Sequence, residues 1–352
     1  MSATFLHRVT SIRIFTALLL LTFVGLSSCQ KNKTATNEPT KETIQPAPTD
    51  RLLSVANVYY TQDSSNAEAW FYETPLVFEF STGSDRGRQN FEALQYAREN
   101  KVPVNVRLLA HTENRIDLII PATAAQIEKY KVEVSKRVPA EAVPPPDDPN
   151  APSFGGTQTS SLISYVPNIT VLNTIFSTIK SQCCKAPGVL IYGPRIPFQF
   201  VADGCYARAH KMRQLIENYF GYQSYKVFNF ACDGSGTLSV KATLWGNNCC
   251  VKWWYHVASY VYVQTPSGTV AYLLDPAMYN APVSISTWVA AQKNITCGYG
   301  GAAQGQVYYY SNAYAPGGIP SSSCSITPYA DNTYISANST CINYAPKQGC
   351  SF

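Results

Sequence analysis

An α+β protein built from two unlike parts is what this chain predicts. Three observations carry it. Short runs rich in Val, Tyr and Phe, the mark of strands, alternate with a few stretches of helical spacing. A proline-rich break divides the chain near its middle, and ten of the eleven cysteines lie beyond it. At roughly 150 residues per domain, 352 residues also suggest two domains. A hydrophobic share of 45 % excludes a fully disordered chain. A single long apolar run excludes a polytopic membrane protein. Charged residues make up only 14 % and the net charge of +5 is spread thinly, so no nucleic-acid partner is expected.

The first segment reads as an export signal. His7, Arg8 and Arg13 precede the apolar stretch Ile14 to Leu26, whose thirteen residues fall short of a bilayer span. The stretch ends in Leu26-Ser27-Ser28-Cys29, which resembles a bacterial lipobox, a signal whose cysteine becomes lipidated. The expectation is a lipoprotein-type signal over 1–28, a lipid anchor at Cys29, and a polar, disordered tether over 29–50. An exported lipoprotein on the cell envelope follows, with a membrane partner through that lipid.

Next come strand-like runs at Leu52–Tyr60, Trp70–Phe80, Val104–Ala110 and Arg115–Ile120, with helices expected at Phe91–Asn100 and Ala124–Ser135. Cysteine is absent between Cys29 and Cys183, and His111 sits in a short polar turn where it reads as solvated. No site is expected here. From Val138 to Ser161 three consecutive prolines, two aspartates and then glycines exclude a helix or a central strand, and predict an exposed, cleavable linker. Charge changes across it: residues 30–156 carry a net −3 and residues 157–352 a net +6, so the two parts attract.

The second half, 161–352, predicts helices near Asn168–Ser181, Gly204–Phe220 and Ile285–Gln292. Strands are expected near Ser224–Cys232, Thr237–Trp245, Val251–Gln264 and Thr269–Asp275, and the last fifty residues read as irregular loops held by disulfides.

Few residues in this half do acid–base chemistry. The histidines are His210 and His256, and the carboxylates are Asp203, Glu217, Asp233, Asp275 and Asp331. Cys205 follows Asp203, a good N-cap, and the run Cys205, Ala209, Met212, Ile216, Tyr219 has helical spacing. Cys205 is thereby placed in a first helical turn, where free backbone N–H groups and the helix dipole favour a thiolate and an oxyanion. A disulfide cysteine that happens to start a helix is the alternative. Nine other cysteines lie in this half, an odd number, so a free Cys205 requires at least one more free thiol. His210, five residues along the same helix, points about 140° away from Cys205 and reads as a packed or solvated residue.

His256 lies in an alternating strand, and Thr265-Pro266-Ser267-Gly268 signals the turn to the next. Closing the hairpin at Pro266–Ser267 pairs residues whose numbers sum to 533, so that Asp275 faces Ala258. His256 and Asp275 then share a face as diagonal neighbours, ~7–8 Å apart at Cα. A carboxylate there fixes the imidazole tautomer, and the imidazole takes the thiol proton. Helix-borne Cys, then His and Asp on successive antiparallel strands, is the order of transglutaminase-like folds, to which papain-like enzymes are related in plan. The adjacent pairs Cys183-Cys184 and Cys249-Cys250 lack zinc spacing. Trp245, Trp253, Trp254 and Tyr308–Tyr310 read as core or as walls of a substrate groove.

With these residues in view, the second half resembles the bacterial protein-glutaminases. The resemblance rests on Asp203 to Arg213 (DGCYARAHKMR), Cys249 to Ala258 (CCVKWWYHVA), Leu274-Asp275-Pro276 and, more loosely, Val307 to Tyr310. It implies a transglutaminase-like catalytic domain and a Cys-His-Asp triad that falls on Cys205, His256 and Asp275. It implies hydrolysis of glutamine side-chain amides in proteins or peptides through a thioester, with no metal or cofactor. It also implies a proenzyme, with 51–137 as an inhibitory pro-domain, 138–160 as a cleavable linker and 161–352 as the catalytic domain. The partners then expected are protein or peptide substrates with exposed glutamine, the chain's own pro-domain and an activating protease, the enzyme itself being a monomer. Two rivals stay open: another cysteine acyltransferase or peptidase on the same triad, and a non-catalytic, disulfide-stapled surface binding module.

Overall fold

The computed structural model describes residues 50–110, 112, 114–146, 162–183, 195–232, 236–244, 249–299, 301, 303–318, 324 and 326–331. Cys29, the tether before Asp50, His111, Asp233, Trp245 and most of the linker fall outside them.

The first half is a five-strand antiparallel run with two helices. Its strands are β1 (Arg51–Tyr60), β2 (Asn66–Phe71), β3 (Thr74–Ser81), β4 (Pro103–Leu108) and β5 (Ile116–Pro121). The expected single strand Trp70–Phe80 is a hairpin instead, turning at Tyr72-Glu73. Aromatic and aliphatic strand formers flank the turn closely on both sides, so composition hides it. Helix α1 (Asp85–Asn100) starts earlier than its apolar spacing suggests, because Ser84 caps it by accepting the Gly87 N–H at 3.1 Å. Gly87 is required there: a Cβ would lie 1.8 Å from the Ser81 carbonyl oxygen. Helix α2 (Ala124–Ser135) matches its expected bounds and begins with a Thr123–Gln126 capping box.

Within 138–161, β6 (Val138–Pro139) pairs antiparallel with β14 (Pro328–Ala330) as an edge strand, which the exclusion of a helix or central strand leaves open. Two residues suffice, and as the outermost strand of its sheet β6 tolerates proline. The Val143 N–H then donates to the Tyr308 carbonyl at 2.9 Å.

In the second half α3 (Ile169–Ser181) is capped by Asn168, and α4 (Cys205–Gln214) runs into one π-helical turn over Leu215–Tyr219. A four-stranded antiparallel sheet stands in the order β11 (Gly268–Leu274), β10 (Tyr255–Thr265), β7 (Tyr225–Ala231), β12 (Gln304–Tyr310). Its β10–β11 register sums to 533, from Ser259↔Leu274 to Thr265↔Gly268. Helix α4 packs across it, and Ser259 Oγ donates to the Ala209 carbonyl at 3.1 Å. Strands β8 (Leu238–Ala242) and β9 (Cys249–Trp253) form a separate ribbon, α5 (Ile285–Ala291) follows β11, and β13 (Ala313–Pro316) pairs with β14. The tail is therefore partly strand rather than loop, with the Cys232–Cys324 disulfide beside it.

The stretch Val251–Gln264 is two strands that belong to different sheets. Trp254 is the joint: its backbone N–H donates to Pro75 and its carbonyl accepts from Ala231, both at 3.0 Å. One side of the joint feeds β9 and the other β10. Strand β9 pairs with β3, which makes a seven-stranded sheet in the order β5-β4-β1-β2-β3-β9-β8. The two halves thus share one sheet.

Candidate active site

The chain enters α4 through Gly204 at φ 80°, a left-handed turn that glycine adopts without strain. Asp203 does not cap the helix as expected. Its Oδ1 accepts the adjacent Gly204 N–H at 2.6 Å and its Oδ2 accepts Arg51 Nη2 of the first half at 3.1 Å. Cys205 is the first helical residue. Behind it Ala209, Met212 and Ile216 enter the core, but Tyr219 is exposed because the π turn rotates it off that face.

Cys205 is a free thiol, and so is Cys183, whose S–H donates to Gln199 Oε1 at 2.9 Å. A second free thiol is what the parity of the cysteines requires. Cys232–Cys324 and Cys250–Cys297 are disulfides. The pairing of Cys184, Cys249, Cys341 and Cys350 lies outside the described side chains.

The backbone N–H of Val257 is on the Cys205 side and acts to lower the thiol. That donor is free because β10 pairs with β11 only from Ser259 onward, which leaves one edge of Tyr255–Ala258 open. The thiol therefore sits against the residue that follows His256. On the other side of that histidine, His256 Nε2 meets Asp275 Oδ2 at 2.9 Å. Asp275 also takes the Trp288 indole N–H on Oδ2 at 3.0 Å and the Ala277 N–H on Oδ1 at 3.2 Å. His256 Nδ1 is buried without a hydrogen-bond partner. The structure thus brings together the three residues singled out in the sequence.

Burial sets the charges. It pushes the Cys205 thiol up to about 12, against the smaller lowering effects of Arg208 and the Val257 N–H. Burial also lowers the His256 imidazole, only partly offset by Asp275. For Asp275 burial is again the largest single influence and acts upward, but His256, Arg208 and Trp288 together hold the carboxyl below its ordinary value. Cys205, His256 and Asp275 are 2 %, 1 % and 4 % exposed, so the covered site holds a neutral thiol beside a neutral imidazole and a carboxylate. The cover includes the first half: Ala56, Trp70 and Val77 lie in the same apolar cluster as Cys205, Trp254 and Tyr255.

Three more residues stand at the site: Trp253, which the sequence reads as core or groove wall, and Arg208 and Trp288, to which it assigns no role. Arg208, one turn after Cys205, is buried and donates from Nη1 to the carbonyls of Phe200 and Asp203 at 2.6 and 2.5 Å, while Nη2 has no partner. The indoles of Trp253 and Trp288 both stack on His256, with ring centroids 4.3 and 5.2 Å away. Trp253 Nε1 also donates to the Ala202 carbonyl at 3.0 Å, which ties the histidine's neighbour to the cysteine loop.

The remaining candidates lie elsewhere. His210 is buried, as a packed helix residue, with Lys226 Nζ 3.1 Å from its Nδ1. Glu217 accepts from Ser224 Oγ at 2.9 Å, and the Asp331 carbonyl accepts from Arg213 at 3.2 Å. Tyr309 is core, with its hydroxyl donating to the Ile326 carbonyl, and Tyr308 packs beneath β10.

This arrangement supplies a thiol, an imidazole and an orienting carboxylate in a mixed α/β fold with antiparallel sheets. Comparison with known proteins names the class. A glutaminase family model matches residues 172–292, a span that contains Cys205, His256 and Asp275. The crystal structure of a pro-protein-glutaminase matches at 26 % identity and TM-score 0.62, covering 86 % of this chain and 95 % of that one. A mutant of pro-protein-glutaminase matches at 26 % identity and TM-score 0.58, covering 80 % and 87 %. Protein-glutaminase from Chryseobacterium proteolyticum is 34 % identical over 54 % of this chain and 94 % of its own, at TM-score 0.43. No curated protein sequence matches the chain. The chain belongs to the protein-glutaminase family, hydrolases that deamidate glutamine in proteins.

Proposed function

We propose that Cys205 is the nucleophile, His256 the general acid and base, and Asp275 the group that orients His256, in a zymogen whose first half covers the site. The observation that carries this reading is a free, buried, helix-starting thiol beside Val257, the residue that follows His256, with His256 and Asp275 paired at 2.9 Å. The free thiol also argues against the disulfide-stapled binding module, which requires Cys205 to be paired.

Removal of the cover re-solvates the thiol and the imidazole, and both burial penalties shrink together. A thiolate–imidazolium pair then becomes accessible, and Asp275 stabilises the imidazolium. Cys205 Sγ attacks the carbonyl carbon of a glutamine side-chain amide, and backbone N–H groups at the α4 start face the oxyanion. The C–N bond breaks as His256 gives its proton to the departing nitrogen, and ammonia leaves. Water then attacks the thioester, His256 taking its proton, and release of glutamate returns the thiol. Upstream, lipidation at Cys29 would hold the precursor on the cell envelope. An activating protease that cuts between 138 and 160 would separate 161–352 from that anchor.

The test is ammonia release from a glutamine-containing peptide by the processed protein, beside Cys205→Ala. One ammonia for each product heavier by about 1 Da, absent in the variant, is expected from amide hydrolysis at this thiol. Equal release by both proteins would remove Cys205 from the mechanism.

A further inference from the structure

The second half owns only two strands of the seven-stranded sheet, β8 and β9. Their apolar face, Leu238, Val240, Val251 and Trp253, packs into one core with Phe71, Leu76 and Phe78 of the first half. Strand β3 supplies the neighbour that β9 otherwise lacks: Leu76 stands opposite Trp253, and the Trp254 N–H reaches the Pro75 carbonyl at 3.0 Å. A two-stranded ribbon with an open apolar face is marginal by itself in water. Once the first half leaves, this edge and face therefore want a replacement.

The first half does not fill the whole face. At its end a cavity of about 180 Å³ opens between β8, β9 and the segment after Asp275, walled by Val240, Ala242, Trp253, Ala277 and Met278. Apart from Lys241 its lining carries no charged residue. The cavity touches the surroundings of all three site residues. Val201 in its wall lies four residues before Cys205, Trp253 is stacked on His256, and the Ala277 N–H is bonded to Asp275. Its volume suits one branched aliphatic or aromatic side chain.

Resting on the deamidase reading above, we infer that β9 is the docking strand for the protein substrate. An extended substrate segment pairs with β9 in the place of β3, its main-chain carbonyl taking the Trp254 N–H. An apolar side chain next to the target glutamine enters the Val240–Met278 cavity. Main-chain pairing of this kind tolerates many sequences and supplies affinity, while the side-chain pocket supplies selection. The enzyme would thus select glutamines flanked by Leu, Ile or Phe in segments able to extend, rather than any exposed glutamine.

The experiment measures ammonia release by the processed protein from short peptides in which Leu, Phe, Gly or Asp flanks one glutamine on either side. A preference of about tenfold or more in kcat/KM for Leu or Phe over Gly on one flank is expected of an apolar subsite. N-methylation of the main chain on that flank, which blocks strand pairing, should lower kcat/KM as well. Ala242→Phe fills the cavity and should abolish the preference for Leu over Gly, the two peptides then being turned over at similar kcat/KM. Equal rates across all flanks and no effect of N-methylation, with glutamine still deamidated, would overturn the inference and leave the deamidase reading intact. Ammonia from none of the peptides would bring down both.

Discussion

His256 presents Nε2 to Asp275, at 2.9 Å, and keeps Nδ1 buried without any partner. The carboxylate therefore chooses the tautomer: with the proton on Nε2, Nδ1 is left as the free base. Asp275→Asn removes the charge and lets the ring take its proton on either nitrogen. Deamidation by the processed protein should fall about 10³–10⁴-fold in kcat with the fold intact, as when a triad carboxylate is made an amide. Circular dichroism and steady-state rates measured on one preparation check both parts.

Among the described residues, Arg208 is the cation that lowers both the Cys205 thiol and the Asp275 carboxyl. Its guanidinium is held by the Phe200 and Asp203 carbonyls, the second of them two residues before the thiol. Arg208→Met keeps most of the packing and removes the charge. In the processed variant, the pH profile of Cys205 alkylation by iodoacetamide should shift to higher pH, and the acid limb of kcat/KM should move with it. A purely structural role for Arg208 would lower the reactive fraction without moving the profile.

The covered site also makes stability depend on pH. The His256 imidazole is depressed in the folded chain, so the unfolded chain binds the extra proton as pH drops through about 6.5. Stability from this group is present above that pH and is lost below it. The Cys205 thiol is raised to about 12, so its contribution is full below pH 9 and is lost between 9 and 12. The uncut chain should therefore melt at lower temperature at pH 5 than at pH 7.5, and His256→Gln should flatten that difference. An unchanged slope in the variant would assign the acid sensitivity to other groups.

Charge holds the halves together in a pattern that net charge alone describes poorly. Lys252 of β9 faces Glu79 at 3.3 Å and Glu68 at 3.9 Å, as an acidic first half and basic second half suggest. Arg51 with Asp203 runs the opposite way. Such partly exposed pairs contribute about 0.2–1 kcal/mol each, but reversing one beside two like charges costs more than deleting it. Lys252→Glu should let the cut pro-fragment separate from the catalytic half severalfold faster at low salt, with the difference shrinking as salt rises. Size-exclusion chromatography after proteolysis reads this directly.

The hairpin was legible because its turn chemistry and residue parity settle the register, and that register brings His256 to Asp275. The start of α4 was legible from Cys205, Ala209 and Met212, which keep helical spacing into the core. The break at Trp254 was hidden, since Val251 to Gln264 is one unbroken run of strand-forming residues without Gly or Pro while the chain passes from one sheet to another. Asp203 reads as the cap and Gly204 takes that place instead, because a left-handed entry to a helix leaves no composition signal beyond one glycine. Trp288 reaches Asp275 from a helix thirteen residues away, a tertiary relation that no local pattern carries.

The proline-rich segment was read as one exposed linker, yet its first residues are bound. Val138 and Pro139 pair with Ala330 and Tyr329, and the Val143 N–H is bonded to the Tyr308 carbonyl. A protease needs several residues in extended, unpaired form, and paired backbone must first open locally at a free-energy cost. Cleavage should therefore fall after Val143, and the N-terminal residue of the processed form should lie between Pro144 and Ser161. The cut fragment then keeps β6 and its grip on β14, so nicking alone leaves the site covered. Activity should lag behind cleavage, and Val138→Pro, which removes the Val138 main-chain N–H, should shorten that lag. N-terminal sequencing beside a time course of ammonia release tests both statements. A first residue before Val143, or activity that rises in step with the cut, would show that β6 does not retain the fragment.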